Sequence, residues 1–288
     1  MSSSRVCIVI LNWNGLADTQ ECLRSLQRLT YPNREVILVD NASTGDDVPQ
    51  LQREFGNSIR IVRNEKNYGF AAGNNAGIRY ALDHSSLDYV FLLNNDTVVA
   101  PDFLDELVRA AEANPNAGIL GPKIYYYDFD GRKDVIWAAG GRIRWWHPWF
   151  YHTTGQGHDD LPKYQKLRAV PWISGAAIMI KLQVLEQISL LNAEYFLGGE
   201  DVEYCLKARA HGFKCLYVPA ARIWHKVGRS RLKHGPRFAD LPDYFRLLRR
   251  NTSLPFYGFH LLLSPLLVPT RILSLLRDVL STPRRPGP

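Results

Sequence analysis

The stretch Tyr89-Val90-Phe91-Leu92-Leu93-Asn94-Asn95-Asp96 runs apolar for five residues and then ends abruptly in two amides and a carboxylate. Such a run, bounded by Asn and Asp, reads as a strand buried on both faces. Three earlier stretches share the pattern: Arg5 to Leu11, Glu35 to Asp40 and Ile59 to Val62. Segments of helical period lie between and after them, at Ala17 to Leu29, Asp46 to Phe55, Ala71 to Leu82 and Pro101 to Ala113. Pro101 suits a first helical position and Asn114-Pro115 a stop. Strict alternation predicts right-handed crossovers and an α/β fold, a mostly parallel sheet covered by helices on both faces.

Sheets of this kind bind ligands beyond the carboxyl ends of their strands. The polar residues found there are Asn12 and Asn14, Asp40 and Asn41, Asn64 and Asn67, and Asn94, Asn95 and Asp96, so all are expected along one edge. The first turn, Asn12-Trp13-Asn14-Gly15, lacks Gly-x-Gly-x-x-Gly, and no Gly-x-x-x-x-Gly-Lys-Ser/Thr occurs, which argues against a dinucleotide dehydrogenase and a P-loop enzyme. Without a glycine cradle or a phosphate-binding lysine, a diphosphate at this edge needs a divalent cation held by a carboxylate, and Asp96 is in position to hold it.

With 288 residues, 46% of them hydrophobic, the chain can bury one substantial core and is not disordered. Val6 to Leu11 is too short for a signal-peptide core or a spanning helix, so a cytosolic protein is expected. Cys7, Cys22, Cys205 and Cys215 form no Cys-x-x-Cys pair and read as reduced core residues. The net charge of +7 is uneven: from Lys207 onward there are 16 Lys/Arg against 3 Asp/Glu, leaving 19 against 25 before it. The basic residues flank an apolar run, Asn251 to Thr270, and do not interleave with aromatics in any nucleic-acid module, so an anionic membrane face is the expected partner and nucleic acid is not.

From Tyr125 to about Pro171 the alternation stops, and Trp137, Trp145, Trp146, Trp149, Phe150 and Tyr151 appear among glycines and histidines. This insertion is open to three readings: a subdomain core, a platform for an acceptor sugar, or a membrane-interface edge. Ser174 to Ile180 then reads as a returning strand, Asp201 to His211 as a helix and Lys214 to Val218 as a further strand.

The chain resembles family 2 glycosyltransferases of the GT-A fold from about Arg5 to Gly228. The resemblance is carried, in order, by Val9-Ile10-Leu11-Asn12-Trp13-Asn14, Val39-Asp40-Asn41-Ala42-Ser43, Asn67-Tyr68-Gly69-Phe70, Asn74-Asn75-Ala76-Gly77, Leu93-Asn94-Asn95-Asp96, Ser174-Gly175-Ala176, Gly199-Glu200-Asp201 and Trp224-His225. It is strongest toward the rhamnosyltransferase branch that builds bacterial surface glycans. It implies a GT-A-like α/β/α sandwich over residues 1–228, with a donor half at about 1–124 and an acceptor-side half with the insertion at 125–228. Residues 229–288 are expected to form a basic, apolar helical tail.

By that resemblance Asp40 accepts the imide N–H of a pyrimidine, although a polar strand-ending residue is the alternative. Asn12, where the family usually has threonine, would meet the base through its backbone; Asn14, Asn67, Gly69, Asn75 and Asn95 would line the nucleotide, with ordinary turn chemistry as the alternative for Asn67, Gly69 and Asn75. The family's Asp-x-Asp stands here as Asn94-Asn95-Asp96, so one charged ligand remains, and His225 matches the position of a second protein ligand. Imidazole plus carboxylate suits Mn²⁺ better than Mg²⁺. Ser174, Gly175 and Glu200 would border the transferred sugar or acceptor. Asp201 would be the catalytic base of an inverting transfer, although acidic residues also open helices simply to complement the dipole. Glu203 is expected on the surface, one turn from Lys207.

The expected donor is a dTDP-sugar, rhamnose first, with a UDP-sugar second; the expected acceptor is a glycan or a polyprenyl-linked glycan at the cytosolic membrane face. Leu254 to Val268 approaches the length of a membrane span but is broken by Pro255 and Pro265, so an interfacial segment or a helix pair packed on the domain is expected instead. Competing functions are a nucleotide-sugar-binding module of weak activity, a sugar-1-phosphate nucleotidyltransferase, whose Arg/Lys-bearing glycine loop is missing here, and a glycoside hydrolase using paired carboxylates.

Overall fold

The computed structural model describes residues 3–145, 147, 150–227 and 240–263. The first half alternates as predicted: β1 (Val6–Asn12), α1 (Leu16–Gln27), β2 (Arg34–Asp40), α2 (Asp47–Phe55), β3 (Arg60–Arg63), α3 (Gly69–His84), β4 (Tyr89–Asn94), a short β5 (Thr97–Val99) and α4 (Phe103–Ala113). Pro101 lies in the turn before α4 rather than at its first position, and Asp102 stands at the cap position.

The second half contains β6 (Ala117–Tyr126), which the sequence reading did not separate as a strand. It continues through β7 (Val135–Ala138), β8 (Gly141–Ile143), β9 (Tyr151–Thr153), β10 (His158–Asp159), β11 (Arg168–Val170), β12 (Ala177–Lys181), α5 (Leu182–Ile188), α6 (Glu200–Ala210) and β13 (Lys214–His225). After the undescribed stretch comes α7 (Asp240–Asn251), followed by helical residues 254–263. The remainder of the expected interfacial run and of the tail, 264–288, lies outside the described residues.

The main sheet runs β10-β7-β6-β12-β4-β1-β2-β3. From β4 to β3 it is parallel, and β12 joins it to β6 by antiparallel pairing on both sides. β13 lies parallel to β6, extends well past the predicted Val218 through an irregularity between Val218 and Arg222, and carries β5 and β11 on antiparallel pairs. Register brings the strand ends level: Asn12 pairs with Asp40, Leu11 with Asn94 and Asp40 with Arg63.

Alternate residues of the central strands enter two separate cores. Ile8, Ile10, Leu38, Phe91 and Leu93 pack with α1, α2 and α4, whereas Val9, Ile37, Val39 and Leu92 pack with α3 and α6. In α4 the buried residues Phe103, Leu104, Leu107, Val108 and Ala111 recur every three or four positions, which puts them on one helical face. Helix α3 approaches the sheet closely because Gly77 faces it: an added Cβ would stand 2.4 Å from Val9 Cγ1 and 2.8 Å from Val39 Cγ2. The four cysteines are free and buried. A buried Lys123 on β6 gives its ammonium to both Asp160 carboxylate oxygens and to Gln165 Oε1 at 2.8–2.9 Å, tying the insertion to the sheet.

Candidate active site

The nucleotide edge begins with a buried amide. Asn12, fully buried at the end of β1, directs Nδ2 at Asp40 Oδ1 (3.2 Å), Ser43 Oγ (3.1 Å) and Asp47 Oδ2 (3.0 Å). An amide nitrogen carries two hydrogens, so these three acceptors share them. Its Oδ1 accepts from Thr19 Oγ1 at 2.8 Å and from Asn95 Nδ2 at 3.4 Å, and Asn95 also donates to Thr19 at 2.8 Å. Asn14 Oδ1 accepts from Thr44 N at 2.8 Å. Asp47, at the first turn of α2, also takes Gly15 N–H at 3.0 Å and so fastens the first turn to the second. The sequence reading missed Ser43, Asp47 and Thr19 as members of this network; two of them lie inside helices, where nothing in the periodicity marks a polar residue as inward-facing.

Next along the edge, Asn41 donates to Asn67 Oδ1 (2.8 Å) and Gly69 O (3.2 Å) and accepts from Asn64 Nδ2 (3.0 Å) and Tyr68 N (3.2 Å). Asn67 in turn accepts Gly69 N–H at 2.9 Å. Asn75 is corrected. Both ends of its amide are engaged by the Leu191 backbone, at 2.7 and 3.1 Å, so it ties α3 to the acceptor half and is not a nucleotide-lining side chain.

Asp96 and His225 meet. His225 Nε2 lies 3.0 Å from Asp96 Oδ1, both side chains are buried, and Trp137 presents its ring edgewise to the imidazole at 4.6 Å between centroids. β5 brings them together, since Thr97 pairs with His225 and Lys226 N–H bonds to Asp96 O at 2.9 Å. Burial pushes the Asp96 carboxyl up, but the adjacent His225 and Lys226 more than offset this and hold it below the usual carboxylate range. Asp96 Oδ1 and His225 Nδ1 are buried without a well-formed hydrogen-bond partner. The residues fit a divalent cation: a carboxylate oxygen and an imidazole nitrogen, a donor pair suited to such ions, stand 3.0 Å apart. Among the described residues no third His, Cys, Asp or Glu completes a set with them. Behind this pair Lys226 Nζ bridges Asp18 (2.7 Å) and Glu21 (2.5 Å), a support that the sequence reading did not include.

Glu200 and Asp201 open α6 after Gly199, whose φ of +95° a side chain would strain. Asp201 accepts Gly175 N–H and Val202 N–H, each at 2.8 Å, and Glu200 accepts Gly198 N–H at 2.6 Å. Burial raises both carboxyls, and for Glu200 the neighbouring Asp201 charge raises it further. Glu203 is corrected: it is largely buried, accepts from Asn192 at 3.0 Å and pairs with Arg250, while Lys207 bonds instead to Ile188 O.

One chain of contacts joins the separate groups. Asp201 holds Gly175; two residues on from Ser174, Ala176 O accepts Asn94 N–H at 2.9 Å; Asn94-Asn95-Asp96 leads to His225; and Asn95 reaches Asn12 and thereby Asp40. The carboxylates and the imidazole predicted from sequence thus stand along one rim. A model described as glycosyl transferase family 2 matches residues 7–166, more than half of the chain.

The chain belongs to glycosyl transferase family 2. A second model of this kind, glycosyl transferase family group 2, matches residues 89–278. An N-acetylglucosaminyl-diphospho-decaprenol L-rhamnosyltransferase of Mycobacterium tuberculosis is 27% identical over 242 residues, covering 77% of this chain and 76% of the relative. An uncharacterized protein of Sinorhizobium fredii is 31% identical over 234 residues, but the match spans 76% of this chain and only 24% of that protein. Among solved structures, a mannosyltransferase of Pyrobaculum calidifontis in complex with GDP-Man and Mn²⁺ superposes with a TM-score of 0.61 at 19% identity, covering 99% of this chain and 77% of that one. At that identity the likeness bears on fold alone, and the family 2 enzyme has the GT-A fold.

Proposed function

We propose that this glycosyltransferase transfers a sugar, with rhamnose the first candidate, from a dTDP-sugar to a lipid-linked glycan with inversion at the anomeric carbon. The observation that carries this reading is the shared rim, where Asp201, the Asp96–His225 pair and the Asp40–Asn12 network are linked by hydrogen bonds and the short backbone stretches between them. The similarity to the mycobacterial rhamnosyltransferase supports the choice of sugar and acceptor.

Asp40 orients the pyrimidine by accepting its imide N–H, while Asn12 and Ser43 hold the carboxylate in place. Asp96 and His225 would hold a divalent cation, Mn²⁺ or Mg²⁺, which when bound supplies positive charge for the departing diphosphate. Asp201, held by two backbone N–H groups and made more basic by burial, takes the proton of the acceptor hydroxyl as that oxygen attacks the anomeric carbon. Ser174, Gly175 and Glu200 border the place where the sugar must lie.

A peripheral membrane position fits the apolar surface that follows α7. Leu254 and Leu262 are 78% and 82% exposed, and Phe259 and Leu261 are exposed too. No helix among the described residues is long and apolar enough to cross a membrane. Incubation with dTDP-rhamnose, UDP-sugars or GDP-sugars plus Mn²⁺ tests the reaction: nucleoside diphosphate should be released fastest from the dTDP donor. Release from no donor, or sugar liberated from glycans without any nucleotide, would remove the transferase reading.

A further inference from the structure

A fixed positive charge stands behind the Asp96–His225 pair. Lys226 follows His225 directly, and its backbone N–H bonds to Asp96 O at 2.9 Å, so its side chain starts beside both residues. That side chain is only 5% exposed, and two carboxylates of α1 take up its ammonium, Asp18 at 2.7 Å and Glu21 at 2.5 Å. Tyr127 closes the cluster: its hydroxyl donates to Glu21 Oε1 at 2.7 Å, its ring centroid lies 5.2 Å from the ammonium, and its N–H bonds to His225 O at 2.9 Å. Glu21 and Cys22 follow Asp18 by three and four positions, which puts all three on one face of α1. Cys22 Sγ lies 3.8 Å from both Asn94 O and Thr97 Oγ1, on either side of Asp96 in the chain, so this face of α1 packs against the segment that carries Asp96.

An ammonium beside a cation site opposes the cation. The opposition matters here because two of the three residues Asn94-Asn95-Asp96 are neutral, and a single carboxylate is left to attract the ion. With His225 neutral, the charges of Asp96 and Lys226 cancel, and Asp18 and Glu21 make the group negative again. We propose that Asp18 and Glu21 are positioning residues of the cation site, holding the Lys226 ammonium back from Asp96 and His225 and cancelling its charge there. They act through Lys226. Charges reach far through a buried, low-dielectric space, and groups one layer behind the ligands tune a metal site by this means. The proposal therefore assigns the effect to the charge balance of the cluster, over and above the contacts that the ion pairs make.

The inference rests on the reading of Asp96 and His225 as cation ligands, and its test separates the two. Free Mn²⁺ is read by electron paramagnetic resonance at a fixed dTDP concentration, with full chains of wild type, Asp96→Asn, Asp18→Asn and the double variant Asp18→Asn with Lys226→Met. Asp18→Asn leaves the ammonium undercompensated and should weaken Mn²⁺ binding about 10-fold. The double variant removes one charge of each sign, so it should return to within about 3-fold of the wild type although the ion pair is gone. A cluster that only braces the fold predicts the opposite order, with the double variant binding no better than Asp18→Asn, and that result overturns the proposal. Mn²⁺ binding by Asp18→Asn equal to that of the wild type overturns it as well. Where Asp18→Asn does not fold, the more exposed Glu21 decides by the same comparison, as Glu21→Gln alone and together with Lys226→Met. Wild type that binds Mn²⁺ no better than Asp96→Asn overturns the cation reading itself and this inference with it.

Discussion

Asp201 is fixed by two backbone N–H groups, one on each carboxylate oxygen, so its carboxylate is oriented. Replacing it by Asn keeps the volume and removes the basic oxygen. Turnover should fall by about 10²- to 10⁴-fold with dTDP affinity nearly unchanged; near-normal turnover takes Asp201 out of the base role. Glu200 and Asp201 titrate as a pair, both raised by burial. The acid limb of the rate profile should therefore lie above the ordinary carboxylate range, and Glu200→Gln should move it toward acid. The same shift bears on stability. Folded carboxyls that keep their protons longer than the unfolded chain lose stability as pH rises from the unfolded pKa to the folded one. Glu200→Gln should stabilise the protein by roughly 1–3 kcal/mol at neutral pH, with no gain below the unfolded carboxylate range. Equal denaturation midpoints at both pH values would contradict this.

At the scale of elements, the alternation of β1 through α4 was legible because apolar runs and helical periods follow each other without interruption, and the register brings the strand ends level. β6 was not legible: Gly118, Gly121 and Pro122 interrupt its apolar run, yet it pairs with β12 and β13 and is buried over nearly its whole length. The role of Asn75 was equally hidden, since its partner Leu191 lies 116 residues away. His225 could be placed only by resemblance, because β13 reaches it past an irregularity that breaks the period. Helix α3 depends on close approach at Gly77, so Gly77→Ala should cost about 1–3 kcal/mol through overpacking against Val9 and Val39. Val9→Ala in the same chain should relieve part of that cost. Strictly additive thermal shifts in the double variant would show that the two sites do not touch.

For the whole molecule, the acidic front of the chain carries the rim apart from His225, the basic excess comes later in the sequence, and exposed leucines follow α7. Trp145 stacks on buried Phe150 and meets Phe256 edgewise, so the described part of the aromatic insertion forms a core shared with the tail; Trp146 and Trp149 lie outside the described residues. Deleting the chain after Arg250 should reduce flotation with anionic liposomes, and unchanged flotation would contradict membrane docking. The central claim is that a nucleotide pocket and a cation held by Asp96 and His225 occupy one rim, and it is tested by dTDP titration calorimetry with and without Mn²⁺ on the wild type and Asp96→Asn. Mn²⁺ should strengthen dTDP binding about tenfold or more in the wild type and have little effect in the variant, because sites that share a ligand are thermodynamically linked. Equal dTDP affinity with and without Mn²⁺ in the wild type would contradict the account.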